Sequence, residues 1–267
     1  MSARQAAGDA RRWPGLGFGA ALFFAYVYLP IFILVALSFN ENRVVTVWTG
    51  FSLEWYRLAF QNDDIVRAAM NSLLIASVAS VSATVLATLA AVRMATTRFF
   101  GQTGMNALIA LPITVPEIVP AVATLMFFAS LGVTLGLGTV MIAHTVFCIP
   151  FAYLPIRARL EGMDPKLGEA AADLFANPRQ TFFKVTLPLL MPGILSGLVL
   201  AFIISLDDFV TTFFVGGAGS TTLPIYIFGL VRTGVTPEVN AISALMLLVS
   251  IALVSLSLFL GRSEHRY

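Results

Sequence analysis

Three carboxylates sit inside long apolar stretches of this chain. Glu117 lies in Leu111-Pro112-Ile113-Thr114-Val115-Pro116-Glu117-Ile118-Val119-Pro120, and Asp207 and Asp208 lie side by side in Ser205-Leu206-Asp207-Asp208-Phe209. No Lys or Arg shares those stretches. A charge at the middle of a membrane helix costs about 2.5–3.5 kcal/mol or more, so such residues mark either a pathway or a structural pair. A path lined by acids and no bases favours a cation and disfavours sulfate, phosphate or molybdate. The competing reading is structural: Glu117 would bond backbone donors freed by the prolines, and Asp207 or Asp208 would pair with Thr211, Thr212 or an arginine of a partner chain. The remaining chemistry-bearing residues are few. His144 and His265 are the two histidines, and His144 stands in an apolar run without a neighbouring ligand, the pattern of a satisfied buried histidine rather than a metal site. Cys148 is the one cysteine, which excludes an intrachain disulfide and a thiolate metal cage. The sequence holds no G-x-S-x-G, no H-E-x-x-H and no nucleophile–base constellation. The expectation is a transport protein with no catalytic residues, no metal and no cofactor of its own.

The elements that carry these residues follow from composition. Of 267 residues 58% are hydrophobic and 11% charged, and the mean hydropathy is +0.88. Soluble chains carry about 25% charged residues, so this one is expected to be a polytopic membrane protein. A net charge of +2 is too small to argue for nucleic acid. Six runs are long enough to cross a bilayer, roughly 16–39, 72–92, 105–131, 138–155, 193–215 and 240–261. Hydrocarbon offers no partner to free backbone N–H and C=O groups, so the fold class is all-α, one transmembrane domain over 1–267. The first run is longer than the apolar core of a cleavable signal and is read as a retained span.

The runs differ in character. Three prolines and a carboxylate in the third break or kink it, which is tolerable only where the backbone is buried in protein or faces a wet cavity. In the second, Ala76, Ser80, Ala83, Ala87 and Ala91 recur at helical spacing and form a small-residue packing face. In the connection at 40–70, Ser52 reads as the N-cap of a short interfacial helix, with Glu54 in its first turn and Trp55 and Tyr56 at headgroup level.

Orientation follows from the basic residues. With the N-terminus inside, the inner segments hold Arg4, Arg11, Arg12, Arg93, Arg98, Arg157, Arg159, Lys166, Arg179, Lys184, Arg262 and Arg266, and the outer segments hold Arg43, Arg57, Arg67 and Arg232. That three-to-one bias puts both termini in the cytoplasm. Segment 156–192 is then a cytoplasmic loop. Asp164-Pro165 and Asn177-Pro178 each read as a helix start. Leu167, Ala170, Ala171 and Leu174 share one face, leaving Glu169 on another. Leu187-Pro188 and Met191-Pro192 are expected to stop the second helix before the fifth span. Two short helices joined by a turn are either a solvated surface hairpin or a dock for a soluble partner.

The stretch Glu169-Ala170-Ala171-Ala172-Asp173-Leu174-Phe175, with Val185, Leu187 and Pro188 beyond it, resembles the EAA loop of ATP-binding-cassette importer permeases, whose pattern is E-A-A-x3-G-x9-I-x-L-P. Val replaces Ile, and Phe175 stands at the glycine position. Glycine eases a left-handed helix exit; with Phe there, the turn shifts to Asn177 or the ring fills a pocket on the partner. Ser205-Leu206-Asp207-Asp208-Phe209, Leu223-Pro224-Ile225-Tyr226 and Gly234-Val235-Thr236-Pro237-Glu238-Val239-Asn240-Ala241 resemble the spermidine/putrescine branch of that family, and its second permease subunit in particular.

The resemblance implies a permease of the bacterial inner membrane, working with a second permease subunit, a dimer of cytoplasmic ATPases and a periplasmic solute-binding protein. It implies that Leu167, Glu169, Ala170, Ala171, Asp173, Leu174, Phe175 and Pro188 dock the ATPase, which holds the ATP and Mg. Consistent with that division, the chain has no G-x-x-x-x-G-K-[ST] phosphate loop. Glu117, Asp207 and Asp208 are the candidate path residues for a polyamine. The loop 216–239 is expected to meet the binding protein or to close the outer gate. Two alternatives stay open: an importer of another small cationic or amino-acid-like solute, and an ion-coupled secondary transporter, which also uses broken helices and midplane carboxylates.

Overall fold

The computed structural model describes residues 14–97, 99–164, 166–234 and 236–262. Arg4, Arg11, Arg12, Arg98, Pro165, Val235, His265 and Arg266 lie outside the described residues. Among the described residues there are twelve α-helices and one π turn, and no strand. In chain order they are α1 (Pro14–Leu37), α2 (Glu54–Gln61), α3 (Asp63–Thr96), α4 (Gln102–Thr114), α5 (Ile118–Ser130), α6 (Leu137–Glu161), α7 (Lys166–Asp173), α8 (Pro178–Thr181), the π turn Phe182–Thr186, α9 (Leu187–Asp207), α10 (Val210–Val215), α11 (Leu223–Thr233) and α12 (Pro237–Arg262). Five helical stretches are long and apolar enough to cross a membrane, and the bent pair α4–α5, counted as one broken span, makes six. The chain is an all-α, multi-pass membrane protein.

Two compact units are formed. The larger comprises 62–229 with 247–267. Its centre is α3, which starts firmly because Asn62 Oδ1 accepts the N–H groups of Asp64 at 3.0 Å and Ile65 at 3.4 Å. Asp63 and Asp64 in the first turn and Arg93 in the last suit the helix dipole. The small-residue face behaves as its spacing predicts: Ala76, Ser80, Ala83, Ala87 and Ala91 are all buried. Ala83, Ala87 and Ala91 form one core with Cys148, Ala152 and Ile156 of α6 and Leu190 and Ala201 of α9. On α9, a Cβ at Gly197 would fall 2.7 Å from the Ala152 carbonyl oxygen, so only glycine permits this approach of α9 to α6. Arg159 closes the same interface by donating from Nε to the Leu189 carbonyl at 2.9 Å.

The smaller unit comprises 1–61 with 230–246. Helix α1 buries none of its most apolar stretch within the chain, leaving Phe18, Tyr26 and Phe32 outward for lipid or another chain. The connection after it is tightly tied. Asn40 Nδ2 donates to Val47 O at 2.8 Å, and Trp55 Nε1 donates to Asn40 O at 2.8 Å. Tyr56 and Ser38 share a 2.6 Å hydroxyl contact. The polar ends of Trp55 and Tyr56 are therefore bonded to their own chain. Helix α2 begins as expected: Ser52 Oγ accepts the Glu54 N–H at 3.0 Å, and the Arg57 guanidinium beside Glu54 holds that carboxyl below its ordinary range.

Two expectations need correction. The fifth run is not continuous. It stops at Asp207 and resumes at Val210, with Asp208 in extended geometry (φ −64°, ψ 124°). Nor do Pro188 and Pro192 stop the chain before that span, since Pro178–Asp207 runs as one 30-residue stretch. The π turn makes this possible: the Leu187 N–H bonds the Phe182 carbonyl five residues back, shifting the register just before Pro188, which falls in the first turn of α9.

Candidate functional site

Each of the two buried-run acids of interest sits at a helix break. Helices α4 and α5 meet at 109° across Val115-Pro116-Glu117, the proline-rich segment expected to break. Pro116 removes a donor, and Val115 is extended (φ −95°, ψ 139°). Glu117 occupies the N-cap position of α5, yet its side chain bonds none of that helix's N–H groups. The structural role of capping freed donors is therefore not the one it plays. Its carboxyl lies near that of Asp208.

Asp208 and Asp207 diverge although they are adjacent. Asp207 ends α9, stays exposed on this chain and bonds Ser250 Oγ at 3.4 Å. The extended residue Asp208 turns inward and is buried. Its Oδ1 accepts from Thr212 N–H at 3.1 Å and from Thr212 Oγ1 at 3.5 Å, which ties it to the first turn of α10. His144 Nε2 lies 3.3 Å from the same oxygen and 2.9 Å from Thr212 Oγ1, while Nδ1 lies 2.8 Å from Ser205 Oγ. Asp208 Oδ2 is buried without a hydrogen-bond donor among the described residues. Four segments thus converge: the break before α5, the middle of α6, the end of α9 and the start of α10. His144 is a satisfied buried histidine, as expected, but its partners lie 61 to 68 residues away and no local motif announces them.

The second candidate surface is the loop 156–192. Lys166 N–H donates to Asp164 Oδ1 at 2.9 Å, which confirms Asp164 as the cap of α7. Ala171 is buried, while Leu167, Glu169, Ala170, Asp173, Leu174, Phe175 and Pro188 are exposed. The proposed apolar face is therefore only partly covered, and Leu174 falls just beyond the helix. The helix ends in a Schellman arrangement: Phe175 N–H bonds Ala172 O at 2.9 Å and Ala176 N–H bonds Ala171 O at 3.0 Å. Phe175 itself takes the left-handed conformation, φ 60°, and no other non-glycine among the described residues has a positive φ. The turn does not move to Asn177. That residue opens α8 with a reciprocal capping box, Asn177 Oδ1 to Gln180 N–H at 2.8 Å and Gln180 Oε1 to Asn177 N–H at 2.9 Å.

Residues 83–263 match the family of binding-protein-dependent transport system inner membrane components. The chain belongs to this family. The permease is 42% identical over 242 residues to the spermidine/putrescine transport system permease protein PotC of Haemophilus influenzae, covering 91% of this chain and 94% of that one. It is 40% identical over 233 residues to the putrescine transport system permease protein PotI of Escherichia coli, covering 85% and 83%. In fold it is similar to a bacterial ABC transporter that imports the acidic polysaccharide alginate, with a TM-score of 0.68 at 16% identity over 96% of this chain and 97% of that one. It is also similar to the MetNI methionine ABC transporter in its inward-facing form, with a TM-score of 0.62 at 20% identity over 74% and 94%. One fold therefore accompanies an anionic polymer and an amino acid alike, and specificity has to be argued from side chains. Membership in this family sets aside the ion-coupled alternative.

Proposed function

We propose that the permease carries polyamines inward across the bacterial inner membrane, as one of two permease subunits above a pair of cytoplasmic ATPases. The observation that carries this reading is that Glu117 and Asp208 lie near one another, each at a helix break, within apolar stretches (105–131 and 193–215) that contain no Lys or Arg. A helix break frees backbone carbonyls that a solute's ammonium group can use, and two acids without a Lys or Arg partner favour a cation. The names of the relatives point to the same cargo. Asp207, exposed one residue away, extends the acidic surface. The reading requires that Asp207→Asn and Asp208→Asn each lower uptake of labelled spermidine or putrescine while the complex still assembles. Wild-type uptake in both variants overturns it.

The ATPases grip the loop 156–192. Glu169 and Asp173 supply exposed charge, and Leu167, Leu174 and Phe175 supply exposed apolar surface, the mixture expected of an interface core and rim. ATP and Mg stay on that partner. Both termini face the cytoplasm, in keeping with the distribution of basic residues. A periplasmic binding protein delivers the solute at the opposite side, near 216–239. There the chain is held by Asn71, whose Nδ2 donates to Gly219 O at 3.0 Å and Thr221 O at 2.9 Å, and by Ser72 Oγ, which accepts the Leu223 N–H at 2.8 Å.

A further inference from the structure

The polar cluster around Asp208 is asymmetric, and the asymmetry has a direction. In the Nε2–H form of His144 every contact is satisfied by one chain of donors: Ser205 Oγ–H to Nδ1, Nε2–H to Thr212 Oγ1, and Thr212 Oγ–H to Asp208 Oδ1, with the Thr212 N–H reaching the same oxygen. Nε2–H also lies within 3.3 Å of Oδ1. All the donors converge on Oδ1. Oδ2 is equally buried and receives none. A buried carboxylate oxygen without a donor is costly unless something supplies one. The other acidic group close to Asp208 is Glu117.

We infer that His144 is a positioning residue of the solute path: with Thr212 it locks Oδ1 of Asp208, and so presents Oδ2, together with Glu117, to an ammonium group of the solute. The inference rests on the path reading above. It also explains the choice of residue. An Arg or Lys at position 144 would hold Asp208 equally well but would cancel the negative field that draws the cation. An imidazole in its Nε2–H form donates to Thr212, which passes a hydrogen bond on to Asp208, without adding charge. Ser205 acts one step back, accepted by Nδ1 and thereby fixing which nitrogen carries the proton.

The test uses the whole importer in proteoliposomes, with KM and maximal rate of spermidine uptake measured separately. His144→Ala is expected to raise KM about tenfold, the size of effect a lost charge-assisted hydrogen bond gives. Asp208→Asn raises KM by at least as much, and His144→Ala added to Asp208→Asn changes KM less than twofold, because the histidine acts through that carboxylate. His144→Gln, whose amide nitrogen reaches the Nε2 position, keeps KM within about threefold of wild type. His144→Asn reaches only the Ser205 side and behaves like His144→Ala. If His144→Ala fails to assemble, the Gln and Asn variants decide, and equal KM values for the two overturn the inference. So does an unchanged KM in His144→Ala, or a full additional loss in the Asp208→Asn background, while Asp208→Asn alone is impaired. Wild-type uptake by Asp208→Asn removes the path reading itself, and this inference with it.

Discussion

Phe175 offers a perturbation whose effect should change sign between the free permease and the assembled importer. A left-handed conformation costs an L-residue about 1–2 kcal/mol, and Phe175 adopts it at φ 60°. The side chain is 96% exposed, so Phe175→Gly removes almost no contact within the chain. Glycine relieves the strain but gives back about 0.5–1 kcal/mol through the greater freedom of the unfolded chain. The net expectation for the purified permease is a gain of about 0.5–1 kcal/mol, read as a rise of about 1–4 °C in melting temperature. Docking should move the other way. A projecting aromatic ring that fills a pocket on the partner typically contributes about 2 kcal/mol or more, close to a 30-fold change in affinity. Titrating the ATPase onto the permease in nanodiscs measures that term. Phe175→Gly should melt higher and bind the ATPase about tenfold or more weakly. If it binds as tightly as wild type, Phe175 is a tolerated glycine substitute rather than an anchor. If it melts lower, the left-handed turn carries no strain that glycine can relieve.

Gly197→Ala places a methyl group against the Ala152 backbone and should destabilise the permease by about 1–3 kcal/mol, seen as a lower melting temperature. Gly229→Ala, within α11 and with nothing inside 4 Å of the added carbon, should stabilise it by up to about 1 kcal/mol in the same measurement. Asn177→Ala removes the capping box at α8 and should cost about 1 kcal/mol, with faster hydrogen exchange at the amide of Gln180. Cys148 is fully buried, so a membrane-permeant maleimide should leave it unmodified in the native permease and label it stoichiometrically after denaturation.

The elements legible in the sequence were those with a local cause. Hydropathy located the spans, the three prolines near Glu117 located the first break, and Ser52, Asn177 and Asp164 announced their helices through capping chemistry. The alanine stripe of α3 is buried because its period matches the helix. The break at Asp208 had no such marker, since neither proline nor glycine interrupts Ser205-Leu206-Asp207-Asp208-Phe209. It exists because a buried partner, His144, draws Asp208 inward while Asp207 stays outside. That is a tertiary contact over more than 60 residues, invisible to periodicity. The continuity of α9 through Pro188 was hidden for a similar reason. A π turn changes the hydrogen-bond register, and its sequence Phe182-Phe183-Lys184-Val185-Thr186 carries no helix-breaking residue to signal it. Phe175 shows the reverse case. The family pattern asks for glycine at that turn, and the backbone keeps the left-handed turn although the residue has changed.

On the proposed function, this chain is the cation-carrying permease of an ATP-driven polyamine importer. The most direct measurement is uptake of labelled spermidine and putrescine into proteoliposomes that contain the permease, its partner subunit and the ATPase, with the binding protein outside and ATP inside. The expected result is uptake that requires ATP, competition by polyamines and not by neutral amino acids of similar length, and loss of uptake in Asp208→Asn and in Glu169→Arg. Uptake that proceeds without ATP, or that is unchanged in Asp208→Asn and Glu169→Arg, would contradict it.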